Sequence, residues 1–139
     1  MSVTLSKNYF FTVDLGTKLF NLTSDTLKLA FTDTAPTTAT HVYADITSPL
    51  ALTNMATSVA LTSVTYTQST GTATLGAATW TGTSQTGNFG AFRYIVIYDD
   101  TAASKNIIGW YDLAQEVTLV GTNGDQITLT FASGILTLA

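Results

Sequence analysis

The longest apolar and alternating pattern lies in residues 90–113, GAFRYIVIYDDTAASKNIIGWYDL. Within it, Phe92–Tyr98 is apolar at both sets of alternate positions except at Arg93, so a strand there needs cover on both of its faces. The polar run Asp99–Asn106 then turns the chain, and Ile107–Tyr111 is typical of a returning strand. The pattern predicts a hairpin in the middle of a sheet.

Shorter strand patterns separated by turn residues occupy most of the remaining chain. The apolar positions change parity at Thr62–Ser63 and again across Gly76, which predicts a bulge in each of two adjacent strands and a bent sheet. The Asn123–Gly124 pair predicts a local turn within Gly121–Asp125, and Pro49–Ser58 predicts a loop or a single helical turn. The strand patterns lie at 27–31, 42–46, 59–66, 73–80, 117–120, 127–131 and 135–138.

The first 22 residues fit two periodicities. Apolar residues in Phe11–Leu22 recur at helical spacing, whereas those in Tyr9–Leu15 alternate as in a strand. We favour a short helix over Asn8–Phe20, with Asn8 as its cap. An N-terminal arm that reaches onto a neighbouring subunit is the alternative.

Eight or nine short strands with no long helical pattern predict an all-β protein. The expected architecture is a two-sheet sandwich of jelly-roll or Greek-key type, or a flattened barrel. Neither an internal repeat nor a linker composition divides the chain, so we expect one domain over residues 1–139, with 1–22 as a short helix or arm. A chain of this length can bury roughly two-thirds of its unfolded surface without disulfides.

Charged residues are scarce, at 10% of the chain against about 25% in a typical domain. Thr is the most frequent residue, which fits two compatible interpretations: outward strand positions that favour Thr, or surfaces that lie against other subunits.

The net charge of −4, with five basic residues spread singly, argues against nucleic-acid binding. The sequence has no cysteine, no apolar run of membrane-spanning length and no export-signal pattern, so we expect a soluble protein.

Candidate chemistry is limited to a few side chains. His41 is the sole histidine, and no cysteine or nucleophile-elbow motif accompanies it, so we interpret it as a surface hydrogen-bonding group. Asp99 and Asp100 at the hairpin turn, with Asp112 after the returning strand, could bind a hard cation such as Ca²⁺. The spacing matches no EF-hand and turns favour Asp in any case, so we expect neither a metal nor a cofactor.

Arg93 stands between apolar neighbours and needs a partner. We favour an intramolecular one, Asp112 or Asp99, over a salt bridge between subunits. Trp110 and Tyr111 are adjacent on a strand and therefore point to opposite faces, so at least one belongs to the core. An exposed sugar-stacking platform is the alternative use of the large aromatics Trp80, Tyr94, Tyr98, Trp110 and Tyr111.

Several segments carry a likeness to a known family. In order they are NLTSDTLKLAFTDTAP (21–36), VYADITSPLA (42–51), LGAATWTG (75–82), FGAFRYIVIYDDTA (89–102), IIGWYDL (107–113), GDQITLTF (124–131) and GILTLA (134–139). With this succession the chain resembles a family of small virion structural proteins of tailed bacteriophages, found in head–tail structural modules. The resemblance implies a protein that assembles in many copies, most often as a capsid decoration (cement) protein, and implies no enzyme activity and no catalytic or ligand residues.

The expectation is therefore a decoration protein on the outer surface of a phage head, assembled in the bacterial cytoplasm. Its expected partners are copies of itself, as a dimer or trimer, and the major capsid protein, with no nucleic acid and no membrane. Contacts are expected from the N-terminal segment, the 82–90 loop and one sheet edge. The alternatives are a tail-tube or tail-tip subunit and, less favoured, a carbohydrate-binding adhesion module.

Overall fold

Antiparallel strands make up most of the structure, a computed structural model that describes residues 4–131 and 134–138. In these residues one short α-helix, α1, spans Phe11–Gly16. Single 3₁₀ turns occur at Tyr43–Asp45, Leu52–Asn54 and Gly121–Asn123. The strands are β1 (Leu5–Lys7), β2 (Leu27–Thr32), β3 (Thr65–Ser69), β4 (Thr72–Gly76), β5 (Trp80–Thr83), β6 (Phe89–Asp99), β7 (Ile107–Leu119), β8 (Gln126–Leu129) and β9 (Leu136–Leu138).

The strands form an all-β sandwich, which confirms the predicted fold class. One layer is a four-stranded sheet in the order β1-β7-β6-β2, and the others are a three-stranded sheet, β3-β4-β9, and a two-stranded sheet, β5-β8. The hairpin of β6 and β7 lies at the centre of the largest sheet, as its sequence predicts. Residues 59–61 extend that sheet beyond β2, because the Leu29 amide donates to the Val59 carbonyl and the Leu61 amide donates to the Leu27 carbonyl.

One face of the central hairpin builds the main core. Phe31, Phe89 and Phe92 pack with ring centroids 5.0–5.6 Å apart, and Trp80 of the two-stranded sheet lies 5.9 Å from Phe31. These side chains are almost fully buried, and a fully buried large apolar side chain stabilises a fold by roughly 1.5–3 kcal/mol. This aromatic cluster joins the large sheet to the two-stranded sheet.

The opposite face of the hairpin is covered by the irregular segment 33–50. Val96 and Tyr98 of β6 pack against Tyr43 and Ile46 from that segment, and the rings of Tyr43 and Tyr98 are 4.8 Å apart. The Thr32 hydroxyl donates to the Thr47 carbonyl at 2.6 Å and fixes the end of the segment to β2. β6, which is apolar on both faces, is therefore buried on both faces.

The prediction of a strand at 42–46 is wrong. Residues Tyr43–Asp45 form a 3₁₀ turn instead, because the Asp45 carboxylate accepts the backbone N–H groups of His41 and Val42 at 2.9 and 3.0 Å. These amides, that of Val42 first, hold the pKa of Asp45 below its ordinary value. A local side-chain cap here outweighs the alternating apolar pattern.

The two predicted bulges are also wrong, because the chain changes sheet at both places. Residues 59–61 lie beside β2, and the chain turns at Ser63, whose φ is 51°, before β3 begins in another sheet. Across Gly76 it passes from the β4 sheet to the β5 sheet. The register shifts occur instead between β6 and β7.

The Asn123–Gly124 turn forms, with Gly124 in the left-handed region at φ 65°, but it does not join a hairpin. β8 pairs with β5 rather than with β7, so the turn carries the chain from one layer to another. The Asp125 carboxylate fixes this crossing by accepting the Val120 amide at 3.0 Å.

The N-terminal helix is shorter than predicted and Asn8 is not its cap. The N-cap is Phe10, without a side-chain hydrogen bond, and the helix ends at Gly16 before Lys18 takes a positive φ of 62°. Asn8 instead orders the preceding turn: its Oδ1 accepts the Phe10 amide at 2.9 Å and its Nδ2 donates to the Thr40 carbonyl at 2.6 Å.

Gly109 of β7 permits the close approach of β1, which gives a test of how the N-terminal strand is held. A Cβ at this position would lie 2.5 Å from the Ser6 carbonyl oxygen, so Gly109→Ala must displace β1. We expect a loss of about 2 kcal/mol or more in the free energy of unfolding, measured by urea denaturation. Gly16→Ala is the control, since nothing lies within 4 Å of its Cβ. Equal effects of the two changes would contradict this packing.

Candidate functional site

The side chains singled out by the sequence lie at separate places on the central hairpin and on the segment that covers it. Arg93 and Asp112 face each other across β6 and β7 beside the register pair Tyr94–Asp112. Asp99 and Asp100 lie at the other end of β6, where the chain turns. His41 lies on the covering segment, and Trp110 faces the smaller of the two cores.

Arg93 and Asp112 form a bidentate ion pair within the chain. Arg93 Nε and a terminal nitrogen donate to the two Asp112 carboxylate oxygens at 2.7 and 2.9 Å. The same carboxylate accepts the Ala114 amide at 2.7 Å, where the backbone takes a positive φ of 63°. The Arg93 side chain holds the pKa of Asp112 below its ordinary value. Arg93 therefore has an intramolecular partner, as we favoured, and of the two candidates that partner is Asp112.

The three carboxylates proposed for a hard cation do not converge. Asp112 lies opposite Tyr94, well up the hairpin from Asp99. Asp100 pairs with Lys28 at 2.8 Å and Lys105 at 3.1 Å, and these lysines, Lys28 first, lower its pKa. Within residues 4–131 and 134–138, no three metal-ligating His, Cys, Asp or Glu side chains gather into a group.

Asp99 has a different environment, which its sequence position does not reveal. Its side chain is fully buried, and Oδ1 accepts the amides of Thr101 and Ala102 at 2.8 and 3.2 Å. Oδ2 has no hydrogen-bond donor. Burial, and then the neighbouring carboxyl of Asp25, raise the pKa of Asp99 from its ordinary 3.8 to about 6. Asp25 comes from the 21–26 turn, distant in sequence, so the pattern around Asp99 could not indicate it.

His41 belongs to a polar cluster that ties three elements together. His41 Nε2 lies 2.8 Å from Asp14 Oδ2, and Asn106 Nδ2 donates to the same oxygen at 3.0 Å. Asp14 is on α1, His41 on the covering segment and Asn106 at the start of β7. Phe10 stacks on the imidazole at 4.1 Å. The expectation that His41 is a surface hydrogen-bonding group is incomplete, because its partner Asp14 is only 2% exposed.

Asp14, His41 and Asn106 together form a polar anchor that joins α1, the covering segment and the start of β7. A buried carboxylate accepting two side-chain donors is costly to break, since removal of one partner leaves buried polar groups unsatisfied. The sequence contained a usable signal: Asp14 falls three residues after Phe11, so a helix that buries Phe11 also turns Asp14 inward. Asn106 carried no such signal, because it meets Asp14 only through tertiary structure.

The large aromatics do not form an exposed platform. Trp80, Tyr94, Tyr98 and Tyr111 are each at most 9% exposed, and the Trp80 indole donates to the Ser58 carbonyl at 2.8 Å. Trp110 packs against the second core and is partly buried. The aromatic group with the largest exposure is on the N-terminal turn.

Among the described residues, Tyr9 and Val13 are the most exposed large apolar side chains, and they are defined here as the N-terminal apolar surface. Tyr9 is 73% exposed and lies in the turn before α1, and Val13, on α1 itself, is 62% exposed. Asp14, the next residue after Val13, is bound to His41 and Asn106. β1 runs immediately before this surface, at the edge of the four-stranded sheet.

A shallow groove of about 300 Å³ lies in the covering segment, between residues 34 and 47. Its lining is mostly small and hydroxylated, and its one carboxylate, Asp45, is engaged by backbone amides. The lining residues are Thr34, Ala35, Pro36, Thr37, Ala39, Thr40, Asp45, Ile46 and Thr47.

Most of the few charged side chains are paired or hydrogen-bonded within the chain. Three of the five basic residues form ion pairs, Lys28 and Lys105 with Asp100 and Arg93 with Asp112. Among the acids, Asp14 and Asp99 are buried, whereas Asp45 and Asp125 accept backbone amides. What remains outside is a surface dominated by Thr, Ser and Ala.

No protein-family model, curated protein or solved structure matches this chain. In the part of the chain that the structure describes, no helix combines the length and the apolar character needed to cross a membrane.

The internal pairing of Arg93 predicts the effect of Arg93→Ala. We expect a small decrease in melting temperature with no change in self-association, because the partly exposed pair contributes little but acts within one chain. The pKa of Asp112 is lowered, so the pair's contribution is present above the ordinary carboxyl pKa of 3.8 and is lost as the pH falls through the lowered value. The difference between Arg93→Ala and the wild type should therefore vanish in strong acid. Loss of association with unchanged stability would instead indicate a subunit contact.

The anchor predicts a larger effect for Asp14→Ala. We expect a loss of about 2–4 kcal/mol in the free energy of unfolding by urea denaturation, because His41 and the buried Asn106 amide lose their shared acceptor. Asp33→Ala is the matched control, since Asp33 is exposed and bonds only the neighbouring Thr34 hydroxyl. It should change stability by less than about 0.5 kcal/mol. Similar small losses for both variants would argue against an anchor.

Proposed function

We propose that this chain is a virion structural protein of a tailed bacteriophage and that it decorates the outer surface of the capsid. Copies of the chain associate with one another and with the major capsid protein. The resemblance of the segments between 21 and 139 to phage virion proteins motivates this assignment. One structural observation supports it most: the chain uses its few charges internally and presents hydroxyl groups with an exposed apolar surface.

That surface chemistry suits a protein packed in many copies. Like charges on identical neighbours repel each other, so a surface with few unpaired charges allows close and repeated packing. Thr hydroxyls can form hydrogen bonds at an interface, and the methyl groups of Thr and Ala are inexpensive to desolvate. A stable interface buries about 1,600 Å² in total, and simultaneous contacts on one lattice multiply weak individual affinities.

The N-terminal apolar surface is the proposed centre of self-association. Tyr9 is an aromatic of the kind enriched at interface centres, and Val13 stands beside it. The anchor of Asp14 fixes the backbone under both, so little ordering entropy is lost when a partner binds. The neighbouring edge of β1 can extend the contact.

Light scattering of the purified chain tests this function at its first step. We expect concentration-dependent dimers or trimers for the wild type, and a loss of association of about tenfold or more in the double variant Tyr9→Ser, Val13→Ser. Leu52→Ser is the matched control, since Leu52 is an exposed apolar residue outside this surface and should leave association unchanged. Because few charges are unpaired, a rise in salt should have little effect.

A wild-type chain that stays monomeric at high concentration would count against self-association through this surface. Equal losses for Leu52→Ser and the double variant would show that general surface hydrophobicity is responsible. Melting temperatures of all variants should match that of the wild type, because none of the three side chains is buried.

A further inference from the structure

The outer edge of β3 is open. β3 is an end strand of its sheet and pairs with β4 on one side. Within residues 4–131 and 134–138, no bridge and no backbone hydrogen bond reaches its other side. Four of its five residues are exposed. Such an edge offers unpaired N–H and C=O groups to which a further strand can bind.

The register of the sheet shows which backbone groups point outward from β3. The Leu75 carbonyl of β4 accepts the Ile135 amide, so Leu75 directs its backbone groups toward β9 and away from β3. Tyr66 lies opposite Leu75 and therefore directs its own N–H and C=O away from β4. Gln68 does the same, because the pattern repeats at every second residue. Both residues thus present a donor and an acceptor at the open edge.

The hairpin of β3 and β4 presents this edge in a regular form. Thr70 and Gly71, with φ of 48° and 82°, make the two-residue turn between the strands, and turns with two positive φ values match the twist of a hairpin. Proteins commonly protect open edges with Lys, Pro or a bulge. The sequence of β3, TYTQS, contains neither residue type, and β3 pairs with β4 without a register shift. The edge is therefore available for strand pairing.

The distribution of charge favours a second copy of the chain as the partner. In a two-fold contact, a charged side chain near the axis meets a like charge, and like charges directly opposite each other weaken strand pairing. Residues 46–92 carry no charged side chain, and neither do the three strands of the β3-β4-β9 sheet. The charged residues in strands all lie in the four-stranded sheet, at Lys7, Lys28, Arg93, Asp99, Asp112 and Glu116. The β3 edge can therefore pair with itself without repulsion.

We propose that two copies of this chain pair their β3 strands antiparallel about a two-fold axis at Thr67, so that two β3-β4-β9 sheets become one continuous sheet. Tyr66 and Gln68 of one copy exchange N–H···O=C bonds with Gln68 and Tyr66 of the other. Thr67 faces its own copy as a non-hydrogen-bonded pair. Thr65 lies opposite Ser69, so hydroxyl side chains meet on the exposed face of the joined sheet.

This contact is separate from the N-terminal apolar surface. Tyr9 and Val13 follow β1, which belongs to a different sheet from β3. A two-fold contact by itself closes a pair of copies, so an extended assembly needs a second contact elsewhere on the chain. Strand pairing at β3 buries mainly backbone and hydroxyl groups, so it is the weaker of the two contacts and adds to the other where copies are crowded together.

Disulfide trapping at Thr67 tests the pairing directly. The chain has no cysteine, so Thr67→Cys adds a single thiol at an exposed position. Cα atoms of a non-hydrogen-bonded antiparallel pair lie about 4.5 Å apart, within the range that a disulfide spans. With oxidised glutathione at high protein concentration, we expect about tenfold more disulfide-linked dimer than for Thr118→Cys. Thr118 is the matched control because it is an exposed threonine of β7, in the other sheet.

An exchange of charge at the same position tests the two-fold axis. Thr67→Glu and Thr67→Lys are made in the Tyr9→Ser, Val13→Ser background, which removes the other proposed contact. Each should weaken self-association, measured by sedimentation equilibrium, by up to about fivefold, because like charges then face each other. An equimolar mixture of the two should recover the association, since opposite charges then meet across the axis. Melting temperatures should stay close to that of the background variant, because Thr67 is exposed.

Equal cross-linking of Thr67→Cys and Thr118→Cys would overturn the proposal. So would a mixture that associates no better than its separate components, because the open edge would then take a strand of a different protein or none. Cross-linking at Thr67 that persists in the Tyr9→Ser, Val13→Ser background supports the pairing even if the N-terminal surface plays no part in assembly.

Discussion

The hairpin of β6 and β7 imposes the constraint on which the structure depends, because both of its faces are apolar. One face takes the main core, which contains the phenylalanine cluster together with side chains from the two smaller sheets. The other face takes Tyr43 and Ile46 from a segment without regular strands. Covering both faces requires the chain to leave the large sheet at Ser63 and to return to it at Phe89, which explains why sequential strands are seldom neighbours in this protein.

Buried polar contacts fix the pieces that cover the hairpin. The Asp14, His41 and Asn106 cluster holds the N-terminal turn and the covering segment to the start of β7. Such contacts add specificity more than stability, since hydrophobic groups of the same shape could be equally stable. They also withdraw charge from the surface, which leaves the hydroxyl and apolar exterior that the proposed assembly role uses.

The parts of the fold that the sequence predicted are those determined by local periodicity. The β6–β7 hairpin, its burial on both faces and the preferred internal partner of Arg93 all follow from residues near one another in the sequence or directly across the hairpin. The failures arise where a distant or capping contact outweighs the pattern, as at Asp45, or where a change of parity marks a change of sheet rather than a bulge. Asn106 acts through Asp14 and His41, which lie far along the chain, so no local pattern could assign it.

Cryo-electron microscopy of phage virions is the most direct test of the proposed decoration role. We predict copies of the sandwich on the outer surface of the head, with Tyr9 and Val13 at contacts between copies or with the major capsid protein. Density for the chain confined to the tail, or its absence from the particle, would contradict the decoration role.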